Sequence, residues 1–526
     1  MVLLSHKIDV LIVGAGPTGL TLALALSRYG LTFRIVERAP NRSTVSKAIG
    51  IQARSLEIFA RLGVSEEIME NAIKINQGNL YVNGKWQAKL DFTDLNTPFP
   101  FVTLLPQSET ERILEDKLLQ YGHQVERETE LTGFAQFPSN VTATLKKDGE
   151  VEVVDASFVI GADGANSFIR RELGLPFSGK SFKESWALAD IEVDWPLSSE
   201  EVHIFFSDQG VIESFPLQSN VFRITGNLVK DAPPTDMEAI SSFLNGRAKI
   251  PFDLKKVHWY SMFRVHNRII DRFGHHRIYL IGDAAHINSP VGGQGMNTGI
   301  GDAMNLAWKL WCVHTFRASF PLLESYSEER RDAAKGILRS TNLATELLQV
   351  NIPFLLPIQE KVIRNGLKVV PIHAYLTNRI AQLNSKYPSS SLFVSNGHFS
   401  LGSPRPGEPM PYSEVVDPRT RRNELLLRRA TRNFLLLIFL PKNQAVSIEG
   451  FETLSHRYPE LFETVTIHQD LVKDGVIDQG GELSRKFGIH QSGIYLVRPD
   501  GFIAYRQQGL KLEPLQAYIE HLLYAR

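Results

Sequence analysis

The strongest constraint on the fold is a Gly-x-Gly-x-x-Gly pattern at residues 14–19, which lies between an apolar run and a helical pattern. The run 8–13 is almost entirely aliphatic, as expected for a strand buried on both faces of a parallel sheet. Residues 17–29 favour a helix, and residues 32–37 favour a second strand. The chain is therefore predicted to begin with a βαβ unit.

Each glycine of this pattern has its own physical use. Gly14 permits the tight turn, Gly16 lets a phosphate approach the backbone, and Gly19 allows the helix to pack closely on the strand. A pyrophosphate would then bind at the positive N-terminus of the helix, beside Thr18. Glu37 follows 18 residues after Gly19, where its carboxylate can accept hydrogen bonds from both hydroxyls of a ribose. These residues predict a dinucleotide site.

Two later segments repeat the arrangement of a buried strand followed by a turn. The sequence Gly-Ala-Asp-Gly at 161–164 follows one apolar run, and Gly282-Asp283 closes another. A carboxylate in the position of Asp283 suits a polyol such as a ribityl chain. The small residues at 290–295 precede a further helix, whose first N–H groups suit the anionic edge of a reduced flavin. The three segments in this order favour FAD.

The pattern of apolar residues changes near residue 185. Short alternating segments separated by turns continue to residue 265 and predict an antiparallel sheet inserted into the first domain. The stretch 389–418 is rich in Ser, Gly and Pro and predicts a linker to a compact C-terminal unit. The predicted domains are a discontinuous first domain of residues 1–184 and 266–400, an inserted sheet at 185–265, and a linker with the C-terminal unit at 401–526.

The composition narrows the class of protein. Lysine plus arginine and aspartate plus glutamate both number 57, so the net charge is zero and a nucleic-acid partner is not favoured. Cys312 is the single cysteine, which excludes an intramolecular disulfide or a cysteine-rich metal site and favours a reducing, cytoplasmic location. No apolar run reaches the roughly 18 residues that a membrane-spanning helix needs.

Several residues admit both a structural and a functional interpretation. His286 lies close to Asp283 and could form a catalytic dyad with it, but a packed structural histidine is at least as well favoured. The pair His275-His276 is more typical of a solvated turn than of a metal site, because no spacing of carboxylates or histidines supports a ligand set. No metal is expected. Core packing is the favoured role of Trp308, Trp311 and Cys312.

Through most of residues 8–400 the chain resembles the single-component FAD-dependent aromatic hydroxylases, of the 4-hydroxybenzoate and phenol hydroxylase type. Glu37-Arg38 is similar to the acid–arginine pair that this family places at the adenosine ribose. Residues 47–51 are similar to the family's Arg-Ala-x-Gly-Ile segment, with Lys47 where arginine is usual. A lysine supplies the positive charge at this position but not a bidentate fork.

The same resemblance assigns further residues to the cofactor. Gln107 begins a helix at which the family's glutamine reaches the flavin. Asp163 belongs to an Asp-Gly motif implicated in both FAD and NAD(P)H binding, and Asp283 would hold the ribityl chain. The segment 290–297 would line the isoalloxazine. Its residues assigned to the cofactor are Pro290, Gly293, Gly295, Met296 and Asn297.

The resemblance implies an α/β fold: a Rossmann-type FAD-binding domain, an inserted antiparallel β-sheet substrate domain and a C-terminal thioredoxin-like domain that lacks cysteine. It implies a monooxygenase that uses NAD(P)H and O2 to hydroxylate a phenolic or polycyclic aromatic substrate through a C4a-hydroperoxyflavin. A homodimer is expected by family analogy. The sequence does not identify a catalytic base. The inserted-sheet residues expected to line the substrate pocket are Trp186, Phe205, Phe215, Arg223 and Tyr260.

Other functions stay open at this point. A flavin-dependent halogenase is disfavoured because the Trp-x-Trp-x-Ile-Pro signature is absent. A Baeyer–Villiger or epoxidising monooxygenase on the same scaffold differs in substrate and not in motif. A protein that is not an enzyme is a further alternative, namely a non-catalytic flavin-binding sensor of aromatic compounds. The intact glycine-rich segment at 292–295 argues against it.

Overall fold

The computed structural model describes most of the 526-residue chain. Two predicted cofactor residues, Lys47 and Pro290, lie outside the described residues. The described residues are 7–43, 48–218, 220–228, 236–289, 292–349, 356–426, 429, 432–442, 446–470 and 475–524.

The strands in chain order are β1 (Ile8–Val13), β2 (Phe33–Val36), β3 (Gly50–Ile51), β4 (Ile73–Ile75), β5 (Gln77–Val82), β6 (Lys85–Asp91), β7 (Val102–Leu104), β8 (Thr129–Gln136), β9 (Val141–Lys147), β10 (Glu150–Gly161), β11 (Ser178–Asp194), β12 (Val202–Ser207), β13 (Gly210–Pro216), β14 (Val221–Asn227), β15 (Asp253–Ile269), β16 (Gly274–His275), β17 (Ile278–Leu280), β18 (His286–Ile287), β19 (Val394–Asn396), β20 (Glu414–Val416), β21 (Asn423–Leu425), β22 (Phe434–Phe439), β23 (Phe462–His468), β24 (Val476–Ile477), β25 (Gly493–Val497) and β26 (Ile503–Gln508).

The helices are α1 (Pro17–Tyr29), α2 (Ala53–Leu62), α3 (Ser65–Asn71), α4 (Gln107–Gln120), α5 (Phe168–Glu172), α6 (Met237–Ala248), α7 (Gly295–Thr315), α8 (Pro321–Gln349), α9 (Leu356–Gly366), α10 (Val370–Ile380), α11 (Glu449–Arg457), α12 (Glu482–Lys486) and α13 (Leu512–Tyr524). A 3-10 turn spans Gly282–Ala284. In the described part of the chain, none of these helices has the length and apolar character to cross a membrane.

The first sheet has the order β16-β17-β10-β1-β2, with the hairpin β8–β9 extending from β10. The strands β17, β10, β1 and β2 run parallel, and α1 connects β1 to β2. This confirms the predicted βαβ unit. Val10, Leu11 and Ile12 are fully buried, as a continuous aliphatic run requires when both faces of the sheet are covered.

The second sheet has eight strands in the order β18-β15-β11-β14-β13-β12-β5-β6. One face packs against α6 through an apolar cluster that includes Ile212, Ile224, Phe243 and Leu244. The sequence placed this sheet at residues 185–265, but β11 begins at 178, and the last two strands at one end of the sheet, β5 and β6, come from residues 77–91. Since β5 pairs in parallel with β12, far along the chain, no local pattern reveals it.

The third sheet, in the C-terminal unit, has the order β19-β26-β25-β22-β23-β24-β20-β21. The stretch 389–418, which the sequence predicted to be a linker, supplies β19 and β20 to this sheet. Its glycines form tight turns at Gly402 and Gly407, where φ is 91° and 87°. Because β19 and β20 pair with other strands of this sheet, the stretch belongs to the C-terminal unit, and its glycines lie in the turns between the two strands.

The C-terminal unit shares a core with the first sheet's helices. Trp308 of α7 is fully buried, and its ring meets Phe434 of β22 edge-on at a centroid distance of 5.4 Å. Trp311 is also buried, and Cys312 beside it has a thiol whose pKa is raised by burial. The structure confirms that these α7 residues are core.

The turn between β25 and β26 inserts charged side chains into this interface. Arg498 is fully buried and donates to Glu329 of α8 over 2.8 Å and to Asp500 over 3.0 Å. The other oxygen of Glu329 accepts from Lys309 over 3.0 Å and from Asn305 over 2.8 Å, both on α7. The C-terminal unit is thus joined to two helices by a buried, charge-balanced cluster.

We expect Arg498→Ala to lower the free energy of unfolding by about 3–5 kcal/mol, because it leaves two buried carboxylates without their shared cation. Urea unfolding followed by tryptophan fluorescence measures the loss. The matched control is Arg485→Ala, an exposed arginine of the same unit, which should change the value by less than about 0.5 kcal/mol. Equal unfolding midpoints for the two variants would contradict this role of Arg498.

The same cluster predicts a dependence of stability on pH. Burial alone would raise the pKa of Glu329, but Arg498 and Lys309 lower it from 4.5 to about 2. A lowered pKa stabilises the fold above pH 4.5, and this contribution, on the order of 3 kcal/mol, is lost as pH falls from 4.5 toward 2. Urea midpoints measured across this range should fall less steeply for Glu329→Gln than for the wild type. Parallel pH profiles would show that Glu329 is not the titrating group.

Candidate functional site

The glycine pattern at 14–19 forms the turn between β1 and α1 and packs directly on the second glycine segment. Gly14 has a φ of 107°, and a Cβ there would lie 2.3 Å from the carbonyl oxygen of Ala162. The amide of Ala162 donates to the carbonyl of Val13 over 2.8 Å. A Cβ on Gly19 would lie 2.1 Å from the carbonyl oxygen of Gly14. Both glycines are required because backbone approaches backbone here.

Gly16 has a different environment, since a Cβ on it would meet no atom within 4 Å. It precedes α1, which begins at Pro17 and has no side-chain cap. The first N–H groups of a helix lack intrahelical partners, and together with the helix dipole they make this end positive. The open space at Gly16 is therefore suited to an anion such as a phosphate.

The carboxylate of Glu37 reaches back from the end of β2 to this turn. Its Oε2 accepts from the amide of Ala15 over 3.0 Å, and its Oε1 accepts from the amide of Ala39 over 3.0 Å. These bonds fix the carboxylate next to Gly16 and leave each oxygen a lone pair for a ribose hydroxyl. Arg38 is exposed beside it.

The third glycine segment packs on α1 at Thr18. A Cβ on Gly282 would lie 2.7 Å from the Oγ1 of Thr18, and a Cβ on Gly299 of α7 would lie 2.2 Å from the same atom. Thr18 is thus enclosed between the 3-10 turn and α7. Asp283, within that turn, is exposed and presents its side chain at the surface of this junction. The three glycine segments, distant in sequence, meet at one place.

Asp302 of α7 holds the third segment in position. Its Oδ2 accepts from the amide of Gly282 over 3.0 Å and from Nε2 of His286 over 2.7 Å, and its Oδ1 accepts from Nε of Arg330 over 2.7 Å. Burial would raise the pKa of Asp302, but His286 and Arg330 lower it. The hydrogen-bond partner of His286 is therefore Asp302 and not Asp283, in line with the structural interpretation of this histidine.

The second segment carries an unsatisfied polar atom. Asp163 accepts from the amide of Ile169 over 3.2 Å through Oδ2, whereas its Oδ1 is buried without a hydrogen-bond partner. Arg170 bridges the second and third segments by donating to the carbonyls of Ala165 over 2.8 Å and Ala284 over 3.0 Å. A ligand hydroxyl or amide at this place would satisfy the free oxygen of Asp163.

The start of α7 is tied to the strand β3 by Asn297. Its side-chain amide donates to the carbonyls of Gly50 over 2.9 Å and Gly293 over 2.7 Å, and its oxygen accepts from the amide of Gln52 over 2.9 Å. A Cβ on Gly295, the first residue of α7, would meet no atom within 4 Å. This second helix N-terminus also opens onto free space, and the half-buried Met296 lies next to it.

Gln107 fixes the other end of the segment around β3. Its backbone N–H donates to the carbonyl of Ala48 over 3.0 Å, and its side-chain Nε2 donates to the carboxylate of Glu111 over 2.8 Å. Burial raises the pKa of Glu111. Gln107 therefore lies at the edge of the segment that Asn297 joins to α7.

The predicted lining residues divide between the two faces of the second sheet. Trp186, Phe215 and Arg223 lie on the face opposite α6, where Phe215 packs against the core of the first sheet. Phe205 is buried in the cluster under α6. Tyr260 pairs with Ala189 of that same cluster and is exposed. These last two do not face the first sheet, because side chains alternate along each strand.

The two histidines of the turn at 275–276 take no part in this site. His275 is exposed, and its Nδ1 lies 3.1 Å from Nε2 of Gln136. Across the described ranges, no three His, Cys, Asp or Glu side chains are grouped as a metal ion would need.

Four residues of the site were missed by reasoning from sequence. Asp302 and Arg330 lie on two different helices, and charged helix residues usually face solvent. Only the 2.7 Å contact between them in the structure shows that they form a buried pair. Arg170 likewise acts on backbone carbonyls that no side-chain pattern marks. Gln52 is almost fully buried, donates to the carbonyl of Gly292 over 3.2 Å and keeps a buried oxygen without a partner. No signal in a single sequence identifies these contacts.

Comparison with known proteins agrees with this geometry. A family model described as FAD binding domain matches residues 7–341. The chain is 32% identical over 533 residues to 6-methylpretetramide 4-monooxygenase of Streptomyces rimosus, covering 98% of this chain and 94% of that protein. It is 30% identical over 509 residues to pentachlorophenol 4-monooxygenase of Sphingobium chlorophenolicum, covering 94% and 93%. The solved structure of OxyS anhydrotetracycline hydroxylase from Streptomyces rimosus superposes with a TM-score of 0.79 at 27% identity, covering 99% and 100%.

The glycine geometry predicts a difference between two conservative substitutions. Gly16→Ala should fold normally, since its φ is −73° and its methyl group meets nothing within 4 Å. It should nevertheless weaken FAD binding by about tenfold or more if the open space at Gly16, which suits an anion, receives a phosphate of FAD. Gly19→Ala should also lower the free energy of unfolding, because its methyl group collides with Gly14. FAD titration of the apoprotein and urea unfolding separate the two effects. Wild-type FAD affinity in Gly16→Ala would place the phosphates elsewhere.

Proposed function

The chain belongs to the FAD binding domain family, and from this premise we propose that it is an FAD-dependent monooxygenase that uses NAD(P)H and O2 to hydroxylate a phenolic or polycyclic aromatic substrate. The observation that carries the proposal is the meeting of the three glycine segments beside the open space at Gly16. Curated relatives that act on aromatic compounds, aligned over nearly the whole chain, support the assignment of substrate class.

The residues at this junction fit FAD. The cradle at Gly14 and Gly19 admits no Cβ, whereas Gly16 and Gly295 both face space that a ligand can fill. The unsatisfied Oδ1 of Asp163 is buried at the same junction. Two uncapped helix N-termini and several placed oxygens suit a molecule with a pyrophosphate, a polyol and an anionic ring edge.

Each part of FAD has residues proposed to hold it. Glu37, with Arg38, would bind the adenosine ribose, the turn at 14–19 the pyrophosphate, and Asp283 the ribityl chain. The start of α7 at 292–297 would face the isoalloxazine. Gln107, Asp163 and, outside the described residues, Lys47 and Pro290 are further proposed contacts.

Bound FAD, once reduced by NAD(P)H, would supply the chemistry that activates O2 and transfers one oxygen atom to the substrate. The contribution of the protein is position and environment. The first N–H groups of α7 would stabilise negative charge on the ring edge. The face of the second sheet opposite α6 would cover the substrate and exclude water.

The domain assignment is part of the same proposal. Residues 1–184 and 266–400 would bind FAD, and the inserted sheet at 185–265, together with the strands at 77–91, would bind the substrate. The unit within 401–526 would be thioredoxin-like, which is supported by β22 lying between a parallel β23 and an antiparallel β25. Thiol redox chemistry is excluded there because Cys312 is the single cysteine of the chain. A homodimer is proposed by family analogy alone.

The test begins with anaerobic mixing of the FAD-bound protein with NADPH or NADH, with and without a panel of phenols and polycyclic aromatics. We expect one or more aromatics to accelerate bleaching of the flavin. In air, labelled oxygen from 18O2 should then appear in the aromatic product, detected by mass spectrometry. No oxygen-dependent consumption of NAD(P)H with any aromatic, while FAD stays bound, would overturn the enzyme and favour an aromatic sensor.

Asp283→Ala tests the proposed cofactor contact separately. We expect FAD affinity to fall by about tenfold or more, because a charge-assisted hydrogen bond to the ribityl hydroxyls is lost. Asp271→Ala, an exposed aspartate of the preceding loop, is the matched control and should bind FAD as the wild type does. Fluorescence titration of the apoproteins measures both. Equal affinities would remove Asp283 from the ribityl site.

A further inference from the structure

Glu213 lies in the middle of β13 and has no stated role in the cofactor site. Its side chain is 5% exposed. Among the described residues, no cation or hydrogen-bond donor pairs with its carboxylate. A buried carboxylate without a partner is unfavourable and is seldom kept for stability alone.

The register of the sheet shows which way this side chain points. Glu213 lies directly opposite Ile204 of β12 and Thr225 of β14. Its neighbours Ile212 and Ile224 belong to the cluster under α6. Since side chains alternate along a strand, Glu213 and Thr225 point to the opposite face. This face is turned toward the first sheet, where Phe215, two residues on, packs against the large core.

The surroundings of Glu213 on this face are apolar, with isolated polar groups. The hydroxyl of Thr225 is buried without a partner, and so is the indole Nε1 of Trp186. Arg223 does not neutralise Glu213, because its guanidinium pairs with Asp190 through two bonds of 2.8 Å. The remaining side chains of this cluster are Phe182, Ile204, Phe206, Val211, Phe263 and Val265.

Burial is the sole cause of a raised pKa at Glu213, which reaches about 7. Glu213 and Thr225 together provide an acceptor and a hydroxyl in an apolar wall, and both lack partners. The complementary ligand is a flat apolar molecule that carries a hydroxyl group at this position.

We propose that Glu213 and Thr225 anchor a phenolic hydroxyl of a polycyclic aromatic substrate, the hydroxyl donating to Glu213 and accepting from Thr225. This inference rests on the proposed function. β13 is four strands from β18, which follows the third glycine segment, and at the usual spacing four strands span about 19 Å. A single phenol does not bridge that distance, so the anchor recognises the far end of a fused ring system.

The test uses the FAD-bound protein and two probes that differ by one hydroxyl, 2-hydroxyanthraquinone and anthraquinone. Binding is measured by isothermal titration calorimetry, because a probe held at the anchor does not have to touch the flavin. The wild type should prefer the hydroxylated probe by about tenfold or more, the usual value of one hydrogen bond to a charged group. Glu213→Leu should abolish this preference, and Thr225→Val should reduce it. Glu238→Gln, an exposed glutamate of α6, is the control and should keep it.

Urea unfolding distinguishes a ligand anchor from a structural carboxylate. Glu213→Leu should raise the unfolding midpoint, because it removes an uncompensated buried group, whereas a carboxylate that stabilises the fold would lower it. A lowered midpoint, or an unchanged preference for the hydroxylated probe, would overturn the proposal. A wild type that binds the two probes equally, or neither of them, would overturn it as well. Failure of the proposed function is a separate result, namely wild-type protein that binds FAD but consumes no NAD(P)H with oxygen.

Discussion

The site depends on the buried carboxylate of Asp302. This one side chain accepts hydrogen bonds from Gly282, His286 and Arg330, and thereby joins the third glycine segment to α7 and α8. Removing any donor would leave charge or polarity unsatisfied in a fully buried place, so the three elements keep a single arrangement. Because Thr18 is enclosed between this segment and α7, the position of α1 depends on the same carboxylate. The proposed cofactor contacts at Gly16 and Asp283 therefore share one support.

The network continues from Asp302 into the C-terminal unit. Arg330 donates to the hydroxyl of Tyr387 over 3.3 Å, and Asn305 donates to the same hydroxyl over 3.2 Å and to Asp500 over 3.1 Å. Asp500 in turn pairs with Arg498. Lys309, Arg330 and Arg498 pair with Glu329, Asp302 and Asp500, so each buried carboxylate of the network has a cationic partner. The C-terminal unit thus takes part in the hydrogen-bond network that holds the third glycine segment.

Reasoning from sequence succeeded where a residue's task is local. The roles of Gly14 and Gly19 follow from a strand–turn–helix pattern, and the structure places a backbone carbonyl where each Cβ would be. It failed where a role depends on a distant partner. Asp302 and Arg330 are charged residues on helices, which from sequence alone are expected to face solvent. Phe205 and Trp186 differ in the face of the sheet toward which their side chains point. The stretch 389–418 was mistaken for a linker because glycine and proline mark turns in ordered and flexible chain alike.

Glu329 and Glu213 show how the same burial can indicate opposite roles. Both side chains are almost completely withdrawn from water. Burial would raise the pKa of Glu329, yet cations from two elements lower it to about 2, so its charge is part of the fold. At Glu213 burial acts alone and the pKa rises to about 7. A folded chain gains nothing from holding such a group unpaired, whereas a ligand that donates a hydrogen bond recovers the cost when it binds. Burial alone therefore does not distinguish a structural carboxylate from one proposed to bind a substrate. The distinction is whether the buried carboxylate has a partner in the folded chain.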